Sequence, residues 1–256
     1  MSKRVAIIGG AGFLGRAIGQ VALEHGWQVR LTSRVAGPSP LEGADLVACD
    51  ITQDGDVLAV LDGMDSVVNC VGILAESGAA SFEALQHAGA ARVAKAAQET
   101  GISHLVHISA IGADSASKSA YQRTKGLGEQ AVHAHFPSAV ILRPSIVFGP
   151  DDSFFNRFAD MSKLSPFVPV VGASTRFQPV FVGDVAKATL AGIEGAKAGT
   201  FELGGPDIET FAALMARMLT VLGRKRLVLP LPASIGMVMG FGFETLAKLS
   251  GGRIEP

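Results

Sequence analysis

One stretch near the start, Val5-Ala6-Ile7-Ile8-Gly9-Gly10-Ala11-Gly12-Phe13-Leu14-Gly15, narrows the possible folds more than any other feature. Its apolar run reads as a strand of a parallel sheet, buried on both faces. Glycines follow, and then apolar residues return at helical spacing, with Phe13, Ala17 and Val21 along one face and Leu14 and Ile18 beside it. A strand, a glycine loop and a helix N-terminus in that order form a phosphate cradle. Gly9 permits the tight turn, Gly12 removes a side chain where a pyrophosphate would meet the backbone, and Gly15 lets the helix pack on the strand. The free N–H groups and positive dipole end of the helix, beginning at Phe13 and Leu14, complete it. The spacing is G-x-x-G-x-x-G, which departs from the G-x-G-x-x-G of the simplest dinucleotide turn.

The remaining chain repeats this alternation. Strands are expected at Trp27–Thr32, Asp45–Asp50, Ser66–Val71, His104–Ile108 and Ala139–Leu142, and helices at Asp54–Leu61 and Phe82–Thr100. Strand–helix alternation of this kind predicts an α/β fold built on a doubly wound parallel sheet. With 256 residues, 48% of them apolar and 18% charged, the chain has enough material for a large core and is not disordered. The net charge of −1 gives no general attraction to nucleic acid or anionic membranes. The two cysteines, Cys49 and Cys70, lie at strand ends and predict no disulfide, hence a reduced cytoplasmic setting. Met1-Ser2-Lys3-Arg4 runs straight into the first strand, so no signal or transit sequence is expected.

Ligands of such sheets bind outside the carboxyl ends of the strands, so the residues there are informative. The second strand closes on Ser33-Arg34, where a NAD-preferring chain usually carries an acid for the ribose 2′-hydroxyl. A guanidinium there suits a 2′-phosphate and points to NADP(H), with NAD(H) as the alternative. Asp50 and Ile51 are placed to meet an adenine amino group and cover its ring. Asn69-Cys70-Val71-Gly72 ends the fourth strand at the same edge. Tyr121-Gln122-Arg123-Thr124-Lys125 then puts a phenol and an ammonium on one helix face. The nearby cation is expected to lower the phenol pKa, so that it can exchange a proton as a hydride moves. Ser109, at the end of the fifth strand, could reach the same substrate oxygen, and Lys125 could also hold the nicotinamide ribose. Pro144, ending Arg143-Pro144 just beyond the Tyr121 helix, joins the cofactor candidates, while Arg143 itself either faces cofactor or substrate or caps a helix end.

Gly9, Gly12, Gly15, Asp50, Asn69, Ser109, Tyr121 and Lys125 together resemble the short-chain dehydrogenase/reductase superfamily in its extended or atypical branch. That resemblance implies a Rossmann core over 1–150 and a smaller substrate or docking lobe over 151–256, with 183–203 returning to the core. Val67–Leu74, Leu105–Asp114, Ile141–Phe158, Arg176–Val180 and Glu202–Pro206 narrow it. They are similar to the NAD(P)H-binding accessory subunit of respiratory complex I and its bacterial relatives, over the chain to about Pro230. The resemblance implies a tightly held NADPH and partners on the complex I peripheral arm near the quinone site, on the cytoplasmic face of the inner membrane. The alternative is a working oxidoreductase, epimerase or dehydratase using Ser109, Tyr121 and Lys125 on a small carbonyl or hydroxyl substrate.

Later segments read more plainly. Asp151-Asp152 begins a helix over Phe154–Lys163, and Asp184 is expected to cap one running to Ile193. Arg157 and Arg176 are either anion contacts or ordinary ion pairs. The six histidines have no metal-ligand spacing. The apolar, glycine-broken segment Ala233–Leu249 is too interrupted for a bilayer span and either packs on the lobe or docks on a membrane-associated partner.

Overall fold

The computed structural model describes residues 3–232, so Ala233–Leu249 and the readings attached to it lie outside the described residues. In chain order the elements are β1 (Arg4–Ile8), α1 (Phe13–Glu24), β2 (Gln28–Ser33), β3 (Ala44–Ala48), α2 (Asp54–Leu61) and β4 (Ser66–Asn69). A π-helical turn, Glu83–Ala88, runs straight into α3 (Gly89–Glu99), and β5 (His104–Ile108), α4 (Ala120–His135), β6 (Val140–Pro144) and β7 (Val147–Phe148) follow. The remainder is α5 (Ser153–Leu164), β8 (Phe167–Val171), β9 (Arg176–Phe177), β10 (Val180–Phe181), α6 (Val182–Ile193), β11 (Gly199–Leu203), β12 (Glu209–Thr210), α7 (Phe211–Val221) and β13 (Leu227–Leu231).

Seven strands form one sheet in the order β11-β6-β5-β4-β1-β2-β3. Every neighbouring pair runs parallel. The strand order reverses between β1 and β4, which opens a crevice at their carboxyl ends. Residues alternate across the sheet as pleating requires. Ala6 and Ile8 join the core under α2, α3 and α4, whereas Val5 and Ile7 join the core under α1 and α6. The chain divides into two compact units. Among the described residues the first comprises 3–149 and Val180–Gly205, and the second Pro150–Pro179 and 206–232. In the second unit Val168 and Val170 of β8 meet Leu214, Met215 and Leu219 of α7, ringed by phenylalanines that include Phe154, Phe158 and Phe211.

Several boundaries differ from expectation for local reasons. The third strand stops before Asp50, because the Asp50 N–H donates to the Asp56 carboxylate (2.9 Å) and its own carboxylate takes the Thr52 N–H and hydroxyl. The fourth stops at Asn69, whose Oδ1 takes the Val71 N–H (3.2 Å). The helix through Phe82 and Thr100 contains the π-helical turn. Asp152 does cap α5, accepting from Phe155 N–H at 2.6 Å. Asp184 does not cap α6: that helix starts at Val182, which leaves Asp184 in its first turn, 3.9 Å from Lys187.

Candidate functional site

The glycine turn is shaped by its own backbone. Gly9 lies at φ +82°, where a side chain would be strained. A Cβ on Gly10 would come within 2.8 Å of Ile7 O and 2.9 Å of Leu31 Cα, and one on Gly15 within 2.5 Å of Gly9 O and 2.6 Å of Gly10 Cα. Gly12 is different, because a Cβ there meets only Gly9 O, at 3.3 Å. Nothing in the described chain fills the space that Gly12 leaves open. The amides that begin α1, from Phe13 to Gly15, have no partner within the helix. No side chain caps them and no acid stands in the first turn. The cradle therefore fits a pyrophosphate in both shape and sign.

Around this turn the expected cofactor residues gather at the sheet edge. Gly9 N–H donates to Thr32 Oγ1 at 3.1 Å, tying the turn to β2 just before Ser33 and Arg34. Arg34 is exposed and acts electrostatically on Asp50, whose carboxyl is held below its usual range mainly by the Thr52 N–H and hydroxyl and secondarily by Arg34. Ile51 is buried, and its side chain packs beneath α3 at Gly89. Cys70 N–H donates to Ile8 O (3.0 Å), and Val71 lies over Gly9, so the loop Cys70–Gly72 forms the second wall of the crevice. Burial pushes Cys70 up to about 12, and burial beside Asp56 and Asp50 pushes Cys49 up to about 11. Both remain thiols at neutral pH.

The proton-handling residues stand on α4 and at the end of β5. Helix α4 lies close to its neighbours through two glycines. A Cβ on Gly126 would be 2.3 Å from Ser115 N, and one on Gly128 would be 2.1 Å from Gln86 O in the π-helical turn. Lys125 is 4% exposed; its Nζ donates to Ile108 O at 3.3 Å and lies under Gly72. Burial lowers its pKa to about 8, against the opposing influence of Cys70 and Glu129. Ser109 is buried and its N–H donates to Leu142 O at 2.7 Å, but its Oγ has no partner. The ring of Tyr121 stands edge-on to Phe82 at 5.8 Å. No hydrogen bond among the described residues joins the Ser109, Tyr121 and Lys125 side chains to one another. The phenol pKa is also raised by burial rather than lowered by Lys125, contrary to the expectation from sequence.

Four polar residues that the sequence reading passed over hold this arrangement. Gln86 donates to Ile73 O (2.7 Å) and accepts from Thr124 Oγ1 (3.0 Å), linking the loop after β4 to α4. Glu129 follows Tyr121 and Lys125 at intervals of four on the same helix face, a spacing visible in the sequence. It takes two hydrogen bonds from Arg143 (2.8 and 2.6 Å), which tie the Nε and Nη2 edge of that guanidinium to the middle of α4 rather than to a helix end. Pro144 O meanwhile accepts from Ile111 N–H at 3.1 Å. His107 is paired across the sheet with Asn69. Because Asn69 Oδ1 takes the Val71 N–H, its Nδ2 turns to His107 Nδ1 (3.3 Å), which places the imidazole proton on the unpartnered Nε2. Burial and Lys125 depress the His107 pKa to about 3, so the ring is neutral.

Residues 5–204 match the model of the NAD dependent epimerase/dehydratase family. The chain is 34% identical over 247 residues to the mitochondrial NADH dehydrogenase (ubiquinone) 1 alpha subcomplex subunit 9 of Arabidopsis thaliana, covering 91% of this chain and 61% of that protein. It thus spans less than two thirds of that relative's length. It is 30% identical over 234 residues to the ceramide reductase of Caulobacter vibrioides, covering 89% of this chain and 73% of that one. Among solved structures, dTDP-4-dehydrorhamnose reductase from Bacillus anthracis in complex with NADP superposes with a TM-score of 0.77 at 21% identity, over 91% of this chain and 85% of that one.

Proposed function

The chain belongs to the NAD dependent epimerase/dehydratase family and has its NAD(P)-binding fold, and from that premise we propose that it holds NADP(H) as the nucleotide-carrying accessory member of a respiratory complex I-type assembly. Likeness to a complex I subunit over 91% of the chain, through the second unit as well as the first, carries this reading. Its place would be the cytoplasmic face of the inner membrane, with partners on the peripheral arm near the quinone site. No helix among the described residues is long and apolar enough to cross a membrane.

Each part of the edge has a role in holding the dinucleotide. The amides from Phe13 to Gly15 take the pyrophosphate, with Gly9 and Gly12 giving it room. Ser33 and Arg34 take the 2′-phosphate, and Asp50 and Ile51 border the adenine. Asn69, Cys70, Val71, Gly72 and Pro144 border the nicotinamide half, where Tyr121 and Lys125 reach the ribose. Arg34 has no hydrogen bond or ion pair among the described residues, so its guanidinium is available to the 2′-phosphate. Arg34→Ala is expected to weaken NADPH binding about ten- to a hundredfold, the loss of a charge-assisted contact, while NADH affinity stays constant. Titration calorimetry with both nucleotides measures this; equal losses would remove Arg34 from the 2′-phosphate.

A second reading, turnover on a small carbonyl or hydroxyl substrate, is favoured by one observation: the unpartnered, buried hydroxyl of Ser109. A bound nicotinamide supplies or accepts the hydride in such a reaction. Ser109 would hold the substrate oxygen, Tyr121 would donate or take the proton there, and Lys125 would stabilise the phenolate as that proton leaves. In Tyr121→Phe, steady-state turnover with carbonyl substrates and NADPH is expected to fall about 10²–10⁴-fold if the protein is a catalyst. A protein that copurifies with complex I subunits and shows no turnover to lose has the accessory role.

A further inference from the structure

The second unit carries an apolar sheet face that its own described core does not cover. In β8 and β13, Phe167 pairs with Leu227, Pro169 with Leu229 and Val171 with Leu231. Val168 and Val170 are fully buried and Val228 packs beside them, so pleating turns the three matched pairs to the opposite side. There Leu227 is 57% exposed, Phe167 47% and Leu229 40%. A half-exposed strand ordinarily alternates apolar with polar residues. These two strands, Phe-Val-Pro-Val-Val and Leu-Val-Leu-Pro-Leu, do not alternate at all. Leu164, at the end of α5 and three residues before Phe167, is 94% exposed and extends the patch.

The charge beside this face has one sign. No acid occurs in residues 161–179 or 211–232, whereas Lys163, Arg224, Lys225 and Arg226 cluster where both strands begin. Arg224 donates to Ala159 O (2.5 Å) and Ser162 Oγ (2.7 Å), and Arg226 donates to Ser162 O (2.9 Å), which fixes the cationic run against the last turn of α5. Asp160, on the same turn of α5, is paired with Lys163 at 2.6 Å. Lys225 is exposed, and among the described residues its ammonium has no partner. Exposed aliphatic and aromatic side chains bordered by lysine and arginine are the pattern of a surface that lies in a bilayer interface.

We propose that the open face of β8 and β13 rests on an anionic lipid bilayer, with Phe167, Leu227 and Leu229 among the upper acyl chains and Lys225 and Arg226 against the headgroups. None of these residues belongs to the dinucleotide site, so the proposal stands or falls apart from the cofactor reading. The full chain is tested by cosedimentation with phosphatidylcholine vesicles, with and without phosphatidylglycerol. Binding to the phosphatidylglycerol vesicles is expected, weak binding to phosphatidylcholine alone, and loss as salt rises. Lys225→Glu, which disturbs no described side-chain bond, is expected to weaken binding about tenfold, and Leu227→Asp with Leu229→Asp to abolish it. Three outcomes overturn the proposal. One is no binding to anionic vesicles, or binding that Lys225→Glu leaves unchanged. Another is concentration-dependent dimerisation that the aspartates remove, which makes a second copy the occupant. The last is a fall of several degrees in the thermal midpoint of Leu229→Asp, which shows the chain's own residues covering the face.

Discussion

Gly15→Ala is expected to lower the thermal midpoint by about 5–10 °C, while Gly12→Ala leaves it nearly unchanged and instead weakens dinucleotide binding tenfold or more. The two glycines belong to one motif, yet different atoms surround them. A methyl on Gly15 would lie 2.5–2.8 Å from three atoms of the turn itself, Gly9 O, Gly10 Cα and Gly10 C. No side-chain rotation relieves a contact with backbone, so the turn must open or α1 must shift from β1. Gly12, with φ −74° and ψ 172°, has a conformation that alanine adopts without strain, and its methyl would touch only Gly9 O at 3.3 Å. Alanine is a poorer N-cap than glycine by about 1 kcal/mol, and the lower entropy of the unfolded alanine chain, worth about 0.4–1 kcal/mol, largely offsets that loss. The methyl would therefore occupy ligand space alone. Thermal melts with and without NADPH separate the effects. An unchanged affinity in Gly12→Ala would place the pyrophosphate elsewhere.

Lys125→Met is expected to stabilise the ligand-free protein at pH 7, raising its midpoint by about 5 °C, and to weaken its hold on the dinucleotide. The ammonium is buried with one hydrogen bond, to Ile108 O. The groups facing it are Cys70 just after β4, His107 on β5 and Glu129 one turn further along α4, and of these the Cys70 thiol and the His107 ring are neutral at pH 7. A pKa lowered from 10.5 to about 8 means that the folded chain resists carrying this charge, by about 3 kcal/mol. The sign sets the pH window. Below pH 8 both folded and unfolded chains hold the proton and the deficit is complete. Between pH 8 and 10.5 only the unfolded chain holds it, so folding stability rises with pH. The difference in midpoint between Lys125→Met and the parent should therefore shrink as pH rises through that interval. A midpoint lowered by the substitution at pH 7 would mean that Glu129 compensates the buried charge in full.

The sheet could be read from sequence because its evidence is local. The apolar runs Val5–Ile8 and Leu105–Ile108, each followed by a turn residue, are strands whatever surrounds them. Tyr121 and Lys125 are four apart on a helix, and that spacing alone places them on one face. The electrostatics of that face were not legible in the same way. Spacing suggests that Lys125 depresses the Tyr121 pKa, but burial, a property of the whole packing, raises it. Arg143 looked available because its partner Glu129 is fourteen residues away on another element. Gln86 and Thr124 are ordinary helix residues until the π-helical turn brings them together across 38 positions of chain. Glycine within a helix ordinarily weakens it, and only the packing shows why Gly126 and Gly128 stand in α4: at each a neighbouring backbone passes too close for a side chain.

The first unit is interrupted in sequence by residues 150–179, and this has a consequence for its assembly during synthesis. When β6 leaves the ribosome, six of the seven sheet strands exist, but α6 and β11 are still to be made. One face of the sheet, bearing Val106, Ile108, Val140 and Leu142, then lacks the cover of Ala186, Leu190 and Ile193. The outer edge of β6 likewise waits for β11. Translation must run on through the interrupting segment before either is sealed, several seconds at ordinary elongation rates of about 5–20 residues per second. During that interval the nascent sheet presents an apolar surface and an unpaired strand edge, the features that holdase chaperones recognise and that drive misassembly. A chain released before α6 would keep both.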